Sequence, residues 1–207
     1  MQSLARKGTA TRRAGAQTAT KLIATAHDLL ETQPLARFTM RNIAESAGVS
    51  LANLQYYFPR REDLVHAMSV DLDQRYRKAQ AAVLADMDTG SPLERFQAVL
   101  RYQLEDISLK STRQFFIQYW ALLGSMDGFK GSYLKDLYAY DIAQITEHLA
   151  ELRPELSEQR LIEISTLIAA MIEGLMLMIE GTEKKAPLNT KLIDAAFDSA
   201  LALAMSE

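Results

Sequence analysis

The 207-residue chain contains no cysteine, a single tryptophan, three histidines and five prolines. Without cysteine, disulfides, thiolate metal sites and cysteine nucleophiles are excluded together, which fits a reducing compartment. His27, His66 and His148 stand far apart, and no two have the spacing of metal ligands. The glycines of "GSMDGFKGS" follow no strand and lack the lysine pattern of a phosphate loop. No nucleophile elbow is present either. The expectation is therefore no catalytic residue, no metal, no cofactor and no enzyme activity. The richest apolar run, "LIAAMIEGLMLMIEG", carries Glu173 and Glu180, so no bilayer span and no membrane partner is expected. The start, "MQSLARKGTATRRAGAQTATK", lacks the apolar segment of a secretory signal, although its acid-free, basic character is also that of a transit peptide. A soluble, cytoplasmic protein is the expectation.

Charge is short where it matters. The formal net charge is only −3, but residues 1–61 hold nine basic residues against three acids. That gives +6 for this end and leaves −9 for residues 62–207. Seven of the nine are arginines, a composition suited to a polyanion. Arg6, Lys7, Arg12 and Arg13 read as a flexible basic arm over 1–18, either entering a minor groove or acting as a weakly electrostatic tail.

No strand alternation is present, while apolar residues recur at helical spacing almost throughout. Leu22, Ile23, Ala26, Leu29 and Leu30 predict a first helix of about 17 residues ending near Gln33-Pro34. Thr39 is an N-cap for a second helix through Ile43, Ala44 and Ala47, stopped by Gly48; Ser50 caps a third through Leu54 to Phe58. Longer helices follow, and the spacing predicts nine in all. The chain divides into a three-helix domain over 19–60 and a six-helix domain over 61–207, an all-α architecture.

Two short helices joined by a glycine-containing turn, with a third before them, form a helix-turn-helix. Gly48 supplies the positive φ of the turn. The third helix, about two turns long, cannot be stable alone and serves to be held out toward a groove. "FTMRNIAESAGVSLANLQYYFPRREDLVHAM" resembles the DNA-binding segment of TetR/AcrR-type transcriptional regulators. The family's Thr-x-x-x-Ile-Ala-x-x-Ala-Gly-Val-Ser is met by Thr39, Ile43, Ala44, Ala47, Gly48, Val49 and Ser50. Its Tyr-Phe-x-x-Lys-x-x-Leu is met by Tyr57, Phe58 and Leu64, with Arg61 in place of lysine. The motif covers residues 19 to about 68. The resemblance implies a dimeric, ligand-responsive regulator, a repressor in the first instance, that binds a (pseudo)palindromic DNA operator and is released by a small-molecule effector. A regulator answering to a partner protein and a helical-bundle enzyme are the alternatives.

Thr39, Arg41, Ser50, Leu51, Ala52, Asn53, Gln55, Tyr56, Tyr57 and Arg61 are the candidate DNA contacts. Leu51 and Ala52 replace the Lys-Gly of many relatives, and Gln55 replaces an aromatic. Leucine methyls suit a thymine methyl and glutamine suits adenine, so Leu51 and Gln55 are the candidates for base preference. Tyr56 and Tyr57 point in different directions, so one packs and the other reaches phosphate.

In the acidic body, Phe96, Tyr102, Phe115, Tyr119, Trp120, Tyr133, Tyr140 and Met171, with Glu173 as a polar handle, are candidates for an apolar pocket between helices. Each is also a candidate for plain core. Residues 161–179 are apolar nearly all round, so Ile164, Leu167, Ile168 and Leu175, with Leu192 and Phe197 on the last helix, are candidates for a four-helix dimer interface.

Overall fold

A computed structural model describes the backbone of residues 2–85, 87, 90–126, 132–179 and 186–206; the side chains of 2–14, 132–134, 136 and 186–189 lie outside the described residues. Nine α-helices are present among them, with no strand: α1 (Gln2–Thr32), α2 (Met40–Ser46), α3 (Leu51–Tyr57), α4 (Arg61–Leu84), α5 (Pro92–Asp106), α6 (Lys110–Met126), α7 (Ser132–Leu152), α8 (Glu158–Met178) and α9 (Ala186–Ala204). A single 3-10 turn, Leu35–Arg37, links α1 to α2. The first helix is longer than its apolar stripe predicts. It begins at Gln2, so the stretch expected as a flexible arm is helical instead. The alanines and threonines there carry no apolar stripe, but nothing in 2–32 breaks a helix.

The chain forms two compact units, Met1–Gln74 and Arg75–Glu207, and the boundary falls inside α4 rather than before it. In the first unit, Leu22, Ala26 and Leu30 of α1, Ile43 and Ala44 of α2 and Leu54 of α3 are buried together with Leu64 and Met68 of α4. His27 on α1 is buried, with its Nε2 3.2 Å from the Asp71 carboxylate on α4.

In the second unit, Ser91 and Glu94 form a capping box with Pro92 at the first helical position, which starts α5. Phe96, Leu100 and Leu104 of α5 pack with Ile145 and Leu149 of α7, Leu161, Ile164 and Ile168 of α8, and Ile193 and Ala200 of α9. Arg113 is buried at the corner between α5 and α6 and donates to the carbonyls of Ile107 and Ser108. Arg153 donates to the carbonyl of Ala204 at 2.8 Å, closing the end of α9. Arg95–Glu151 and Arg101–Asp194 pair across helices at 2.9 and 2.8 Å. By length and composition α8 matches a membrane span, contrary to the expectation that no stretch does. Its buried residues, Leu161, Ile164, Ile168, Ile172 and Met176, recur every three or four positions, as in a helix serving a protein core.

Candidate nucleic-acid interface and candidate ligand site

The helix-turn-helix is set by three local devices. Thr39 accepts a hydrogen bond from the Asn42 amide at 3.2 Å, and Ser50 accepts one from the Asn53 amide at 3.1 Å. Each cap satisfies an amide that the first helical turn would leave unpaired. Between them Gly48 adopts φ +68°, and a Cβ placed there would meet nothing within 4 Å. The cost of any other residue at 48 is therefore conformational, not steric. Gly48→Ala is expected to destabilise the protein by about 1–2 kcal/mol, with Gly48→Asn, which tolerates this region, costing less. Thermal melts of the two variants check the ranking; equal losses would contradict it.

Leu54 alone is buried on α3. With Leu54 turned into the core, Leu51, Ala52, Asn53, Gln55 and Tyr56 are all exposed, as are Thr39, Arg41 and Ser50. Tyr56 is 79% exposed and Leu51, a large apolar residue, 39% exposed. Tyr57 is half-buried: its hydroxyl lies 3.6 Å from where a Cβ on Gly15 would stand, so it packs on α1. The two tyrosine rings meet edge to face at 5.1 Å, one inward and one outward. Phe58 is core. Arg61 is half-buried at the first position of α4. Arg60, absent from the sequence candidates, donates from its side chain to both carboxylate oxygens of Asp63, at 2.7 and 3.2 Å, and its amide bonds the same carboxylate at 3.0 Å. That contact holds the Asp63 carboxyl below the ordinary range.

The second unit treats the pocket candidates unequally. Phe115 and Tyr119 are buried and their rings stack at 5.2 Å, in the manner of core residues. Phe96 is buried but lines a crevice with Gln103, Ile145, His148 and Ile168, about 10 Å³ in volume, room for about one water. Tyr102 lies 6.5 Å from Tyr76, whose hydroxyl donates to Asp106 at 2.6 Å. Met171 is half-buried against the core, and the side chain of Tyr133 lies outside the described residues. Trp120 Nε1, Tyr140 Oη and Glu173 Oε2 are buried without a hydrogen-bond partner. Burial, reinforced by the charge of Asp141, pushes the Glu173 carboxyl up to about 8; burial alone pushes Asp141 up to about 6.

Sequence reasoning missed Tyr138 and Asp141. The available signal was their i, i+3 spacing on α7, which gives them a common face, but on one sequence an aspartate between aromatic and aliphatic residues looks like a solvent edge.

The interface candidates also separate. Ile164 and Ile168, expected between subunits, are wholly buried inside the chain instead, because the α5 and α7 side of α8 claims them. Leu167 and Leu192 are exposed, as is Leu177. Leu175 is half-buried, and Phe197 lies under the Arg101 guanidinium at 4.0 Å.

A capped helix-turn-helix with a solvent-facing recognition helix, followed by an all-helical unit, defines a DNA-binding transcriptional regulator. Residues 22–68 match the family described as bacterial regulatory proteins, tetR family. A helix-turn-helix-type transcriptional regulator of Xanthobacter autotrophicus, encoded in the dhlA 5′ region, is 32% identical over 159 residues, 74% of this chain and 75% of that one. The protein belongs to the TetR family; it is a transcriptional regulator, not an enzyme. Among solved structures, RolR in complex with resorcinol superposes over 95% of this chain and 97% of its own, with a TM-score of 0.58 at 19% identity. NalD of Pseudomonas aeruginosa, the secondary repressor of the MexAB-OprM multidrug efflux pump, covers 89% of this chain and 96% of its own, with a TM-score of 0.54 at 15% identity.

Proposed function

We propose that this protein is a cytoplasmic, homodimeric repressor whose hold on a (pseudo)palindromic operator is broken by a small molecule bound in the unit Arg75–Glu207. The observation that carries the ligand response is the trio of Trp120 Nε1, Tyr140 Oη and Glu173 Oε2, buried without partners. Leaving polar atoms so costs stability, and a bound molecule that hydrogen-bonds them would recover it. RolR, solved with resorcinol, and NalD, a repressor, share the fold and support the reading.

On DNA, the Thr39 and Ser50 hydroxyls accept the cap bonds and keep their hydrogens for phosphate. Arg41, Asn53, Tyr56 and Arg61 reach backbone or base edges, Tyr57 supports Tyr56, and Leu51, Ala52 and Gln55 face the bases. Two-fold symmetry sets the recognition helices roughly 34–36 Å apart, one turn of the duplex. The apolar face left by Leu167, Ala170, Leu177 and Leu192 on α8 and α9, all exposed, is the surface for the second copy. Selection of binding sites from random duplexes, followed by titration at several salt concentrations, tests the DNA half. Arg61→Ala should weaken matched and mismatched sites alike and flatten the salt dependence. Gln55→Ala should narrow the gap between them by about 1–3 kcal/mol; equal losses on both would remove Gln55 from base reading. Release of the selected operator by compounds screened against the purified dimer tests the ligand half.

A further inference from the structure

Arg60 and Arg61 stand side by side where α3 gives way to α4, and the binding surface described so far uses only Arg61. The side chain of Arg60, the residue just before α4, is 72% exposed. Asp63, in the first turn of α4, clasps it at two levels. One carboxylate oxygen accepts the Arg60 backbone amide at 3.0 Å and its Nε at 3.2 Å; the other accepts Nη2 at 2.7 Å. The two levels do different work. The amide bond caps the start of α4, and any residue but proline at 60 would supply it. The guanidinium adds an exposed ion pair between residues three apart, a contact that contributes little to stability. The fold therefore gives no reason for an arginine at 60.

Its position does. Only buried Phe58 and Pro59 separate Arg60 from the end of α3 at Tyr57. Exposed Tyr56 is four positions back, so the two Cα atoms lie within about 14 Å. That is the rise of about four phosphates along one strand. No acid occurs between Glu45 and Glu62, while the basic residues of this end include both arginines. A phosphate and the Asp63 carboxylate offer a guanidinium the same fit, two anionic oxygens for two hydrogens of its planar fork. We propose that Arg60 is a further DNA-phosphate contact, and that Asp63 occupies its guanidinium in the free protein and yields it to the duplex. The exchange leaves no group stranded, because Asp63 keeps the Arg60 amide. What is lost is an exposed ion pair; what is gained is a phosphate contact with release of condensed counterions.

The test titrates the operator selected from random duplexes, and a duplex of scrambled sequence, at several salt concentrations. The proteins are Arg60→Gln, Asp63→Asn and the double variant. Glutamine still supplies the amide and asparagine still accepts the cap bond, so melting curves should stay near the parent's and verify folding. Arg60→Gln is expected to weaken both duplexes roughly tenfold or more at 0.1 M salt, and to flatten the slope of log K against log salt by about one per protomer. Asp63→Asn is expected to tighten both by about two- to fivefold, and to lose most of that gain in the Arg60→Gln background. This comparison isolates the exchange, since a carboxylate that merely repelled DNA would do so at least as strongly once its arginine was gone. Unchanged affinity and salt dependence in Arg60→Gln overturn the inference. A loss confined to the selected operator also overturns it, because phosphate contacts are blind to sequence. A gain from Asp63→Asn that persists in full without Arg60, or weaker binding by Asp63→Asn itself, overturns the exchange.

Discussion

Leu167→Glu is expected to produce a folded monomer that binds its operator roughly a hundredfold more weakly than the parent, because joining two DNA-binding units multiplies their hold by about 10²–10⁴ without adding a contact. Leu167 is 52% exposed, so a carboxylate there costs the isolated chain little. Across a two-fold interface it would meet the second copy, and a charge buried without a partner prevents that association. Phe197→Glu is a poorer probe, since Phe197 also packs beneath Arg101, which is paired with Asp194. Light scattering and operator titration of Leu167→Glu decide the matter. Dimers of undiminished affinity would put the interface elsewhere.

Tyr119→Ala should cost about 3–5 kcal/mol and lower the melting temperature by about 10 °C. Tyr119 is wholly buried and stacked on Phe115, so truncation opens a cavity that the helices around it cannot close. Trp120→Ala, at the next position of α6, should behave differently. Its ring is half-buried and its Nε1 has no partner, so removing it sacrifices less packing and no internal hydrogen bond. The expected outcome is a modest stability loss with ligand-driven release of DNA weakened severalfold. Melting temperature, operator affinity and release are measured on both variants. If Trp120→Ala melts as low as Tyr119→Ala, Trp120 is core and does not belong to the ligand site.

That contrast also marks the limit of what the sequence makes legible. Local devices were readable because they rest on short-range rules: the Thr39 and Ser50 caps, the positive φ at Gly48, and the burial of Leu54 and Phe58 all follow from neighbours within four residues. The start of α1 differs from the expectation because its first four turns or so carry no apolar stripe, although no residue in them forbids a helix. Deeper in the chain, periodicity says that a position faces something without saying what. Ile164 and Leu167 are both apolar and three residues apart, yet one enters the core and the other meets solvent. Phe115 and Trp120, both aromatic and five residues apart, differ too: the first is buried and the second half-buried. Asp141 escaped notice entirely, because the burial that changes its chemistry comes from helices far along the chain.

The sparse inward face of α3 bears on how such a protein changes its target over time. Since Leu54 is the buried residue of the helix and Tyr57 packs on α1, the five other positions, Leu51, Ala52, Asn53, Gln55 and Tyr56, contribute little to the core. Most substitutions there leave the fold standing while altering what the helix meets in a groove. A gene copy can therefore drift toward a new promoter by single amino-acid steps, each intermediate remaining a folded and testable protein. Gly48 and Leu54 have no such latitude, and they are where a lineage of these regulators would be held fast while the residues between and beyond them diverge.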